Sequence, residues 1–149
     1  MIDVAVAAPP TDAQGKKMGF NILARAYEIF RFPFIGLCAT DKKIKERPDE
    51  VRKTLKALIR ANRYMKEDRN GTIQILMDWG KVDRESATAA YDGSVEVFNP
   101  DGSIPEEGLR VVIEQAAKEA KITREIPLSE VSDVTILREA QRELGIKGR

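Results

Sequence analysis

Residues 48–65, PDEVRKTLKALIRANRYM, carry the clearest structural pattern in the chain. The segment opens with a proline and two acidic residues, which suit the first turn of a helix and the positive end of its dipole. Basic residues then alternate with apolar residues that recur at helical spacing. The apolar positions are Val51, Leu55, Leu58, Ile59 and Met65. The segment predicts a long amphipathic helix with one buried face.

Two apolar runs upstream of this helix favour β-strands. Residues 4–8 (VAVAA) end at a diproline, and residues 34–40 (FIGLCAT) end at a polar run. Short continuous apolar runs are typical of strands that are buried on both faces of a sheet. From about residue 42 onward, helix and turn patterns dominate. The sequence thus predicts a helix-rich α/β fold whose few strands lie near the N-terminus.

Several residues are predicted to mark the ends of helices. Side chains that accept backbone hydrogen bonds precede the helical patterns, and glycines follow them. The predicted N-terminal caps are Thr11, Asn70, Asp83, Ser103 (with Glu106 in a capping box) and Ser132 or Asp133. The predicted glycine terminators are Gly19, Gly93 and Gly145, and residues 99–102 (NPDG) predict a turn.

Composition excludes several functions. The length of 149 residues favours a single domain. The 25 basic and 24 acidic residues give a net charge of +1, which argues against a nucleic-acid or anionic-membrane partner. Without histidine and with one cysteine, Cys38, the chain cannot form a histidine-based nucleophilic site, a histidine-ligated metal site or an internal disulfide. The sequence predicts a protein that is not an enzyme and that holds no metal or cofactor.

Pro9, Pro10 and Thr11 are candidate ligand-binding residues because they follow the first predicted strand. Open α/β sheets bind ligands at the loops beyond the carboxyl ends of their strands. A rigid diproline before a helix would present backbone N–H groups to an anionic ligand. An ordinary turn at the end of a strand is the alternative interpretation.

The predicted strands are too few to complete a parallel sheet. Such a sheet needs neighbours at its edges and helices on both faces. Either another chain pairs with the strand edges, or the missing strands lie upstream of Met1. A chain that lacks these strands would expose strand edges, which predicts a homodimer or higher oligomer, with elements exchanged between copies.

Three segments resemble the C-terminal half of bacterial solute-binding proteins: residues 33–37 (PFIGL), 44–52 (IKERPDEVR) and 57–65 (ALIRANRYM). The similar group serves ABC importers of aliphatic sulfonates, nitrate, taurine and thiamine precursors, and has the type II periplasmic-binding-protein fold. Residues 3–10 (DVAVAAPP) also resemble the strand that presents the ligand loop in the second lobe of that family.

The resemblance implies two α/β lobes that close on a small molecule, with a membrane permease as partner. On this map the chain is one unit, 1–149, in which residues 1–32 are a remnant of the second lobe. Residues 33–149 would supply the hinge strand and the helical part of the first lobe. Phe34, near the hinge, joins Pro9, Pro10 and Thr11 as a predicted ligand contact. The implied function is capture of a small organic or anionic solute for import, by the solute-binding component or a fragment of one.

Location and two alternative functions complete the sequence-based expectations. The intact family is periplasmic or otherwise extracytoplasmic, whereas this chain lacks a signal-peptide pattern and would be cytoplasmic as written. One alternative is a stand-alone helical protein-interaction module that uses the apolar faces of residues 48–66 and 105–120. An enzyme similar to thiamine-pyrimidine synthases is disfavoured, since that chemistry relies on histidine and on several cysteines.

Overall fold

The computed structural model describes residues 3–8, 11–29, 33 and 35–147 of the chain. The helices of these residues are, in order, α1 (Thr11–Lys17), α2 (Ala26–Ile29), α3 (Asp41–Glu46), α4 (Pro48–Glu67), α5 (Arg69–Gly80), α6 (Arg84–Ser94), α7 (Glu106–Glu119), α8 (Leu128–Val131) and α9 (Thr135–Glu143). A short 3₁₀ helix, Val95–Val97, follows α6.

The predicted α/β fold is wrong, because the described residues are helical and contain no β-strand. Residues 4–8 and 35–40, the described parts of the two predicted strands, have no regular secondary structure and are exposed. The physical reason is pairing. A strand persists only where a neighbouring strand satisfies its backbone hydrogen bonds, and the described residues provide no such neighbour. The strand edges required by the predicted homo-oligomer are therefore not formed here, and self-association itself stays a prediction.

The long helix predicted from residues 48–65 is confirmed as α4. Its inner face packs against α9, where Ile59 contacts Leu137 and Ala140 in a buried cluster. Half-buried apolar side chains surround these three: Leu55, Val134, Leu144 and Ile146. Leu58 departs from the predicted stripe and is 45% exposed, since α4 buries only the face that carries Ile59.

Ion pairs border the contact between α4 and α9. The Lys56 Nζ atom lies 2.6 Å from Glu143 Oε2, and Arg52 Nε lies 3.1 Å from Glu143 Oε1. The hydrogen bond from Lys56 lowers the pKa of Glu143, and the charge of Arg52 adds to this. All three side chains remain partly in water, so each pair contributes little to stability. The apolar cluster is what holds the two helices together.

A second apolar cluster joins α5 to α6. Its buried members are Ile73, Ala87 and Tyr91. The Tyr91 hydroxyl donates a hydrogen bond of 2.7 Å to the carbonyl oxygen of Met65, near the end of α4. The Arg69 guanidinium forms a bidentate pair with Asp92 and lies 5.5 Å from the centre of the Tyr91 ring. Tyr91 therefore connects the second cluster to the last turn of α4.

Several of the predicted helix ends are confirmed. Asp83 caps α6, because its carboxylate accepts a 2.7 Å hydrogen bond from the backbone N–H of Ser86. Gly19 and Gly145 have positive φ angles, 92° and 70°, two residues after the ends of their helices. The prediction that Gly93 ends its helix is wrong, because α6 continues to Ser94. At the end of α9 the backbone N–H of Ile146 donates to the carbonyl of Gln141 at 2.9 Å, which completes a left-handed helix cap.

The predicted cap of α5 is wrong, because Asp68 rather than Asn70 occupies that position. One oxygen of the Asp68 carboxylate accepts a 2.8 Å hydrogen bond from the N–H of Gly71, and the other accepts one of 2.9 Å from the Tyr64 hydroxyl. The helix begins at Arg69, so Asn70 already lies inside its first turn. Tyr64, a turn back on α4, supplies the additional hydrogen bond that favours Asp68.

The predicted capping box of α7 is also wrong. Pro105 holds the cap position without a side-chain hydrogen bond. The hydroxyl of Ser103 instead donates to Asp101 at 2.7 Å, within the preceding turn. At α9 the carboxylate of Asp133 accepts a 2.8 Å hydrogen bond from the N–H of Thr135, one residue ahead of the cap position.

The predicted turn at residues 99–102 is confirmed, since the N–H of Gly102 donates to the carbonyl of Asn99 at 3.1 Å. Side chains of α4 and α9 donate hydrogen bonds to the backbone carbonyl groups of this turn. Asn62 donates to Asn99 at 2.8 Å, and Gln141 donates to Asp101 at 2.8 Å. A further bond of 3.0 Å runs from Arg63 Nε to the Pro100 carbonyl. The turn is thereby fixed over the contact between the two helices.

Replacing Gly71 with alanine is expected to destabilise the protein, although alanine favours helices. A Cβ atom at this position would overlap the Tyr64 hydroxyl and the Asp68 carboxylate, so the cap of α5 would have to move. Gly80→Ala is the matched control on the same helix, because its Cβ would meet only ordinary contacts with Val82. The free energy of unfolding of the control should rise by about 0.5 kcal/mol. Urea unfolding followed by circular dichroism measures both, and a stabilised Gly71→Ala would contradict the cap.

Acid is expected to weaken the protein partly through Asp83. Hydrogen bonds from the backbone and hydroxyl of Ser86, with a smaller effect of Lys17, lower its pKa below the ordinary value of 3.8. A carboxylate with a lowered folded-state pKa stabilises the fold above its unfolded-state value and loses that effect as the pH falls through the folded-state value. The free energy of unfolding should therefore drop below pH ~4.

Asp83→Asn separates this titration from the cap itself. Asparagine caps helices about as well as aspartate but does not titrate. The variant should show a shallower loss of stability below pH ~4 than the wild type, in urea titrations at a series of pH values. An unchanged slope would rule out Asp83 as a contributor.

Candidate functional site

The structure describes one of the four predicted ligand contacts. Pro9, Pro10 and Phe34 lie outside the described residues. Thr11 is the first residue of α1, is exposed, and donates its backbone N–H to the carbonyl of Ala8 at 2.9 Å. That bond closes a local turn, so this N–H is already used within the chain. Whether the four residues form a site together stays a prediction.

A concavity of about 570 Å³ lies directly after α1 and is open to solvent. Its volume falls in the range of roughly 300–1,000 Å³ that is common for small-molecule sites. The chain leaves α1 through a left-handed turn at Gly19, where φ is 92° and the N–H of Phe20 donates to the carbonyl of Gly15 at 3.0 Å. The lining consists of Lys16, Gly19, Phe20, Asn21, Ile22, Leu23, Ala24, Arg25 and Glu28.

The polar side chains of this concavity carry charges of both signs. Lys16 and Arg25 supply positive charge, and Asn21 supplies an amide that can donate hydrogen bonds. Phe20 is 66% exposed and Leu23 is also exposed, so apolar surface lies beside the cations. Among the described lining residues, Glu28 is acidic. The combination suits a small organic molecule with an anionic head and an apolar body.

Asp12 orients Arg25 from the first turn of α1. The Arg25 Nη1 atom lies 3.8 Å from Asp12 Oδ2, and the Asp12 side chain is 19% exposed. The second oxygen of that carboxylate, Oδ1, is buried and has no hydrogen-bond partner within the described ranges. Asp12 directly follows Thr11, so this pair connects the first turn of α1 to the concavity.

Sequence reasoning missed this concavity because its residues form no periodic pattern. The signal that was available is the left-handed turn at Gly19, flanked by Lys16 and Arg25. A glycine turn brings side chains on its two sides together, but sequence alone does not say which side chains converge.

A second, smaller concavity of about 210 Å³ lies against the turn at residues 99–103. Its lining residues are Arg63, Asn99, Pro100, Asp101 and Ser103. The hydrogen bonds of these groups join the turn to α4 and hold the turn closed on itself. This concavity is best explained as part of the fold.

Other kinds of site are not seen in the part of the chain that the structure describes. These residues contain no cluster of three or more histidine, cysteine, aspartate or glutamate side chains arranged to hold a metal. Cys38 is exposed and forms no disulfide bond with a described residue. Among the described helices, none combines the length and apolar character required to cross a membrane.

Comparison of the chain with models of known families, with curated proteins and with solved structures finds no match.

Proposed function

We propose that this chain is the solute-binding component of an ABC importer, or a fragment of one, and that it captures a small organic anion without chemical conversion. The observation that carries the proposal is the concavity of residues 16–28, with Lys16, Asn21 and Arg25 beside exposed apolar side chains. The resemblance of residues 33–65 to solute-binding proteins supports it. In this role the chain works outside the cytoplasm and delivers its ligand to a membrane permease.

The chemistry of the concavity sets the expected ligand class. An anionic head would pair with Lys16 and accept hydrogen bonds from Arg25 and Asn21, since charge-assisted hydrogen bonds are the strong ones. A short apolar body would cover Phe20 and Leu23, which are now in water. A neutral molecule of the same size would make only the apolar contact. The concavity should therefore bind an anion more tightly than a neutral molecule of the same size.

Thermal melts with matched probes test the proposal. Hexanesulfonate and hexanoate should raise the melting temperature measured by circular dichroism, whereas hexanol should not. A ligand at a hundred times its Kd stabilises the folded state by about 2.7 kcal/mol, which is well within the sensitivity of such a melt. Absence of a shift with either anion would argue against solute capture at this site.

Variants locate the binding. Arg25→Gln and Lys16→Gln should each weaken the response to the anions by about tenfold in affinity, the scale of one lost charge-assisted hydrogen bond. Arg60→Gln is the matched control, because Arg60 is an exposed cation on α4 that does not line the concavity. An equal loss in the control would mean that the anions bind the surface non-specifically.

A helical protein-interaction module is the second candidate. It is favoured by the outer face of α5, where Trp79 is 85% exposed and Ile75, one turn earlier, is 54% exposed. Tryptophan is enriched at the centres of protein interfaces. This function predicts a cooperative melt that responds to none of the small probes, and a clear response to any of the anions would exclude it in favour of solute capture.

A further inference from the structure

The outward face of α4 carries apolar side chains that the core of the protein does not use. On this helix Leu55 and Ile59 pack against α9. A neighbouring stripe at helical spacing is exposed and consists of Ala57, Leu58, Ala61 and Tyr64. The apolar part of the α4 surface is therefore wider than the face that α9 covers.

Tyr64 continues this stripe onto the outer face of α5. Its hydroxyl donates to Asp68 at 2.9 Å and occupies the space where a Cβ atom of Gly71 would lie. Ile75 lies one turn beyond Gly71 on the same face of α5, and Trp79 follows one turn later. Both side chains are exposed. Together these residues form the α4–α5 outer surface, which consists of Ala57, Leu58, Ala61, Tyr64, Ile75 and Trp79.

The two halves of the α4–α5 outer surface are complementary in side-chain size. The α5 half presents Ile75 and Trp79, which project into water. The α4 half presents Ala57 and Ala61 one turn apart, and small side chains at this spacing leave a groove into which a large side chain packs. A two-fold axis places the α5 half of each copy on the α4 half of the other, so the same contact forms twice.

The charges beside the two halves are also complementary. Asp78, next to Trp79, is exposed, accepts a hydrogen bond of 3.1 Å from Gln74 and forms no ion pair with a described residue. Arg60, one turn from Tyr64, is exposed and likewise has no carboxylate partner among the described residues.

One register satisfies both the sizes and the charges. If α5 of one copy runs antiparallel to α4 of the other with Ile75 opposite Tyr64, then Trp79 falls between Ala57 and Ala61. The same register brings Asp78 beside Arg60, because both residues lie on the same flank of their stripes. A second copy of this chain therefore fits the surface in shape and in charge.

The size of the surface sets the strength of the contact. Its six side chains offer on the order of 500 Å², so two copies would bury about 1,000 Å² in total. That area lies at the low end of specific interfaces, where complexes are weak and transient. The surface is therefore large enough for a reversible dimer and too small for an obligate one.

We propose that two copies of this chain form a weak symmetric dimer in which α5 of each packs antiparallel on α4 of the other. The dissociation constant is on the order of 100 µM, so the chain is monomeric at the low micromolar concentrations of unfolding and ligand experiments. The interface shares no residue with the concavity of residues 16–28. The dimer requires neither a solute nor a permease, so it stands independently of the proposed solute capture.

Sedimentation equilibrium tests the dimer on the full chain, at concentrations from about 1 µM to about 1 mM. The mass should rise from one chain to two. Trp79→Ala should weaken dimerisation by at least about 30-fold, the scale of a central aromatic residue in an interface. Val111→Ala is the matched control, because Val111 is an exposed apolar residue of α7 outside the surface, and it should leave the dissociation constant unchanged. A mass other than two chains at the highest concentration, or equal effects of the two variants, would overturn the proposal.

A charge swap tests whether the partner is a second copy in the stated register. Asp78→Arg and Arg60→Asp each bring like charges together at both ends of the symmetric contact, so each should weaken dimerisation by about tenfold. The two changes alter the net charge in opposite directions, so a loss with both cannot come from net charge. The chain that carries both changes should regain the wild-type dissociation constant. Failure of the double variant to recover, or no loss with either single variant, would show that the dimer uses another surface and would overturn the proposal.

Discussion

Gly102→Ala is expected to lower the free energy of unfolding by about 2–5 kcal/mol. The φ angle of Gly102 is 73°, where an alanine is strained by about 1–2 kcal/mol. Its Cβ would also lie 2.9 Å from Ile59 Cγ1 and 3.4 Å from Leu137 Cδ1, and overpacking a core costs about 1–3 kcal/mol. Urea unfolding followed by far-ultraviolet circular dichroism measures the loss.

Gly145→Ala is the matched control for this variant. Gly145 has nearly the same φ angle, 70°, but its Cβ would meet no atom within 4 Å. The free energy of unfolding should therefore fall only by the backbone strain of alanine at this φ angle, about 1–2 kcal/mol. The difference between the two glycines measures how closely the turn at residues 99–103 approaches the contact between α4 and α9. Equal losses would mean that this approach is looser than the structure indicates.

Ile59→Ala is expected to destabilise the protein by about 3–4 kcal/mol. Ile59 is 1% exposed and packs on Leu137 and Ala140 of α9, so its removal leaves a cavity between the two helices. Leu58→Ala is the control at the neighbouring position, because Leu58 is 45% exposed and lies outside the buried cluster. The control should cost about 1 kcal/mol or less. Comparable losses at both positions would show that a further surface covers Leu58.

A double variant that combines Ile59→Ala with Gly102→Ala tests the contact between the two residues. In an Ile59→Ala background the Cβ of alanine at position 102 no longer meets the isoleucine side chain, so Gly102→Ala should cost less there than in the wild type. Contacting residues show such interaction energies of about 0.5–3 kcal/mol. Strict additivity would contradict the contact between Gly102 and Ile59.

The sequence was sufficient to predict helices whose local signals agree with their packing. In α4, the proline start, the acidic first turn and the apolar stripe point to the same element, and the helix forms there. The cap at Asp83 and the left-handed turns at Gly19 and Gly145 are also local features. Such features depend on a few neighbouring residues, so the local sequence is sufficient to predict them.

The errors arose where structure depends on distant partners. An apolar run such as residues 35–40 is compatible with a strand, but pairing decides whether a strand forms. Asn70 and Asp68 are both good caps by composition, and the hydroxyl of Tyr64 on the preceding helix supports Asp68. Likewise, the concavity of residues 16–28 depends on which side chains meet after the turn at Gly19. None of these contacts is encoded in spacing along the chain.

The exposure of Trp79 also determines which spectroscopic measurements are informative. It is the chain's single tryptophan, and 85% of its surface is in water in the folded state. Its fluorescence in the native protein should already resemble that of a free indole, so intrinsic emission would change little on denaturation. A shift of that emission to shorter wavelength would instead report that something has covered the outer face of α5. The same residue that makes fluorescence a poor monitor of folding makes it a selective monitor of association.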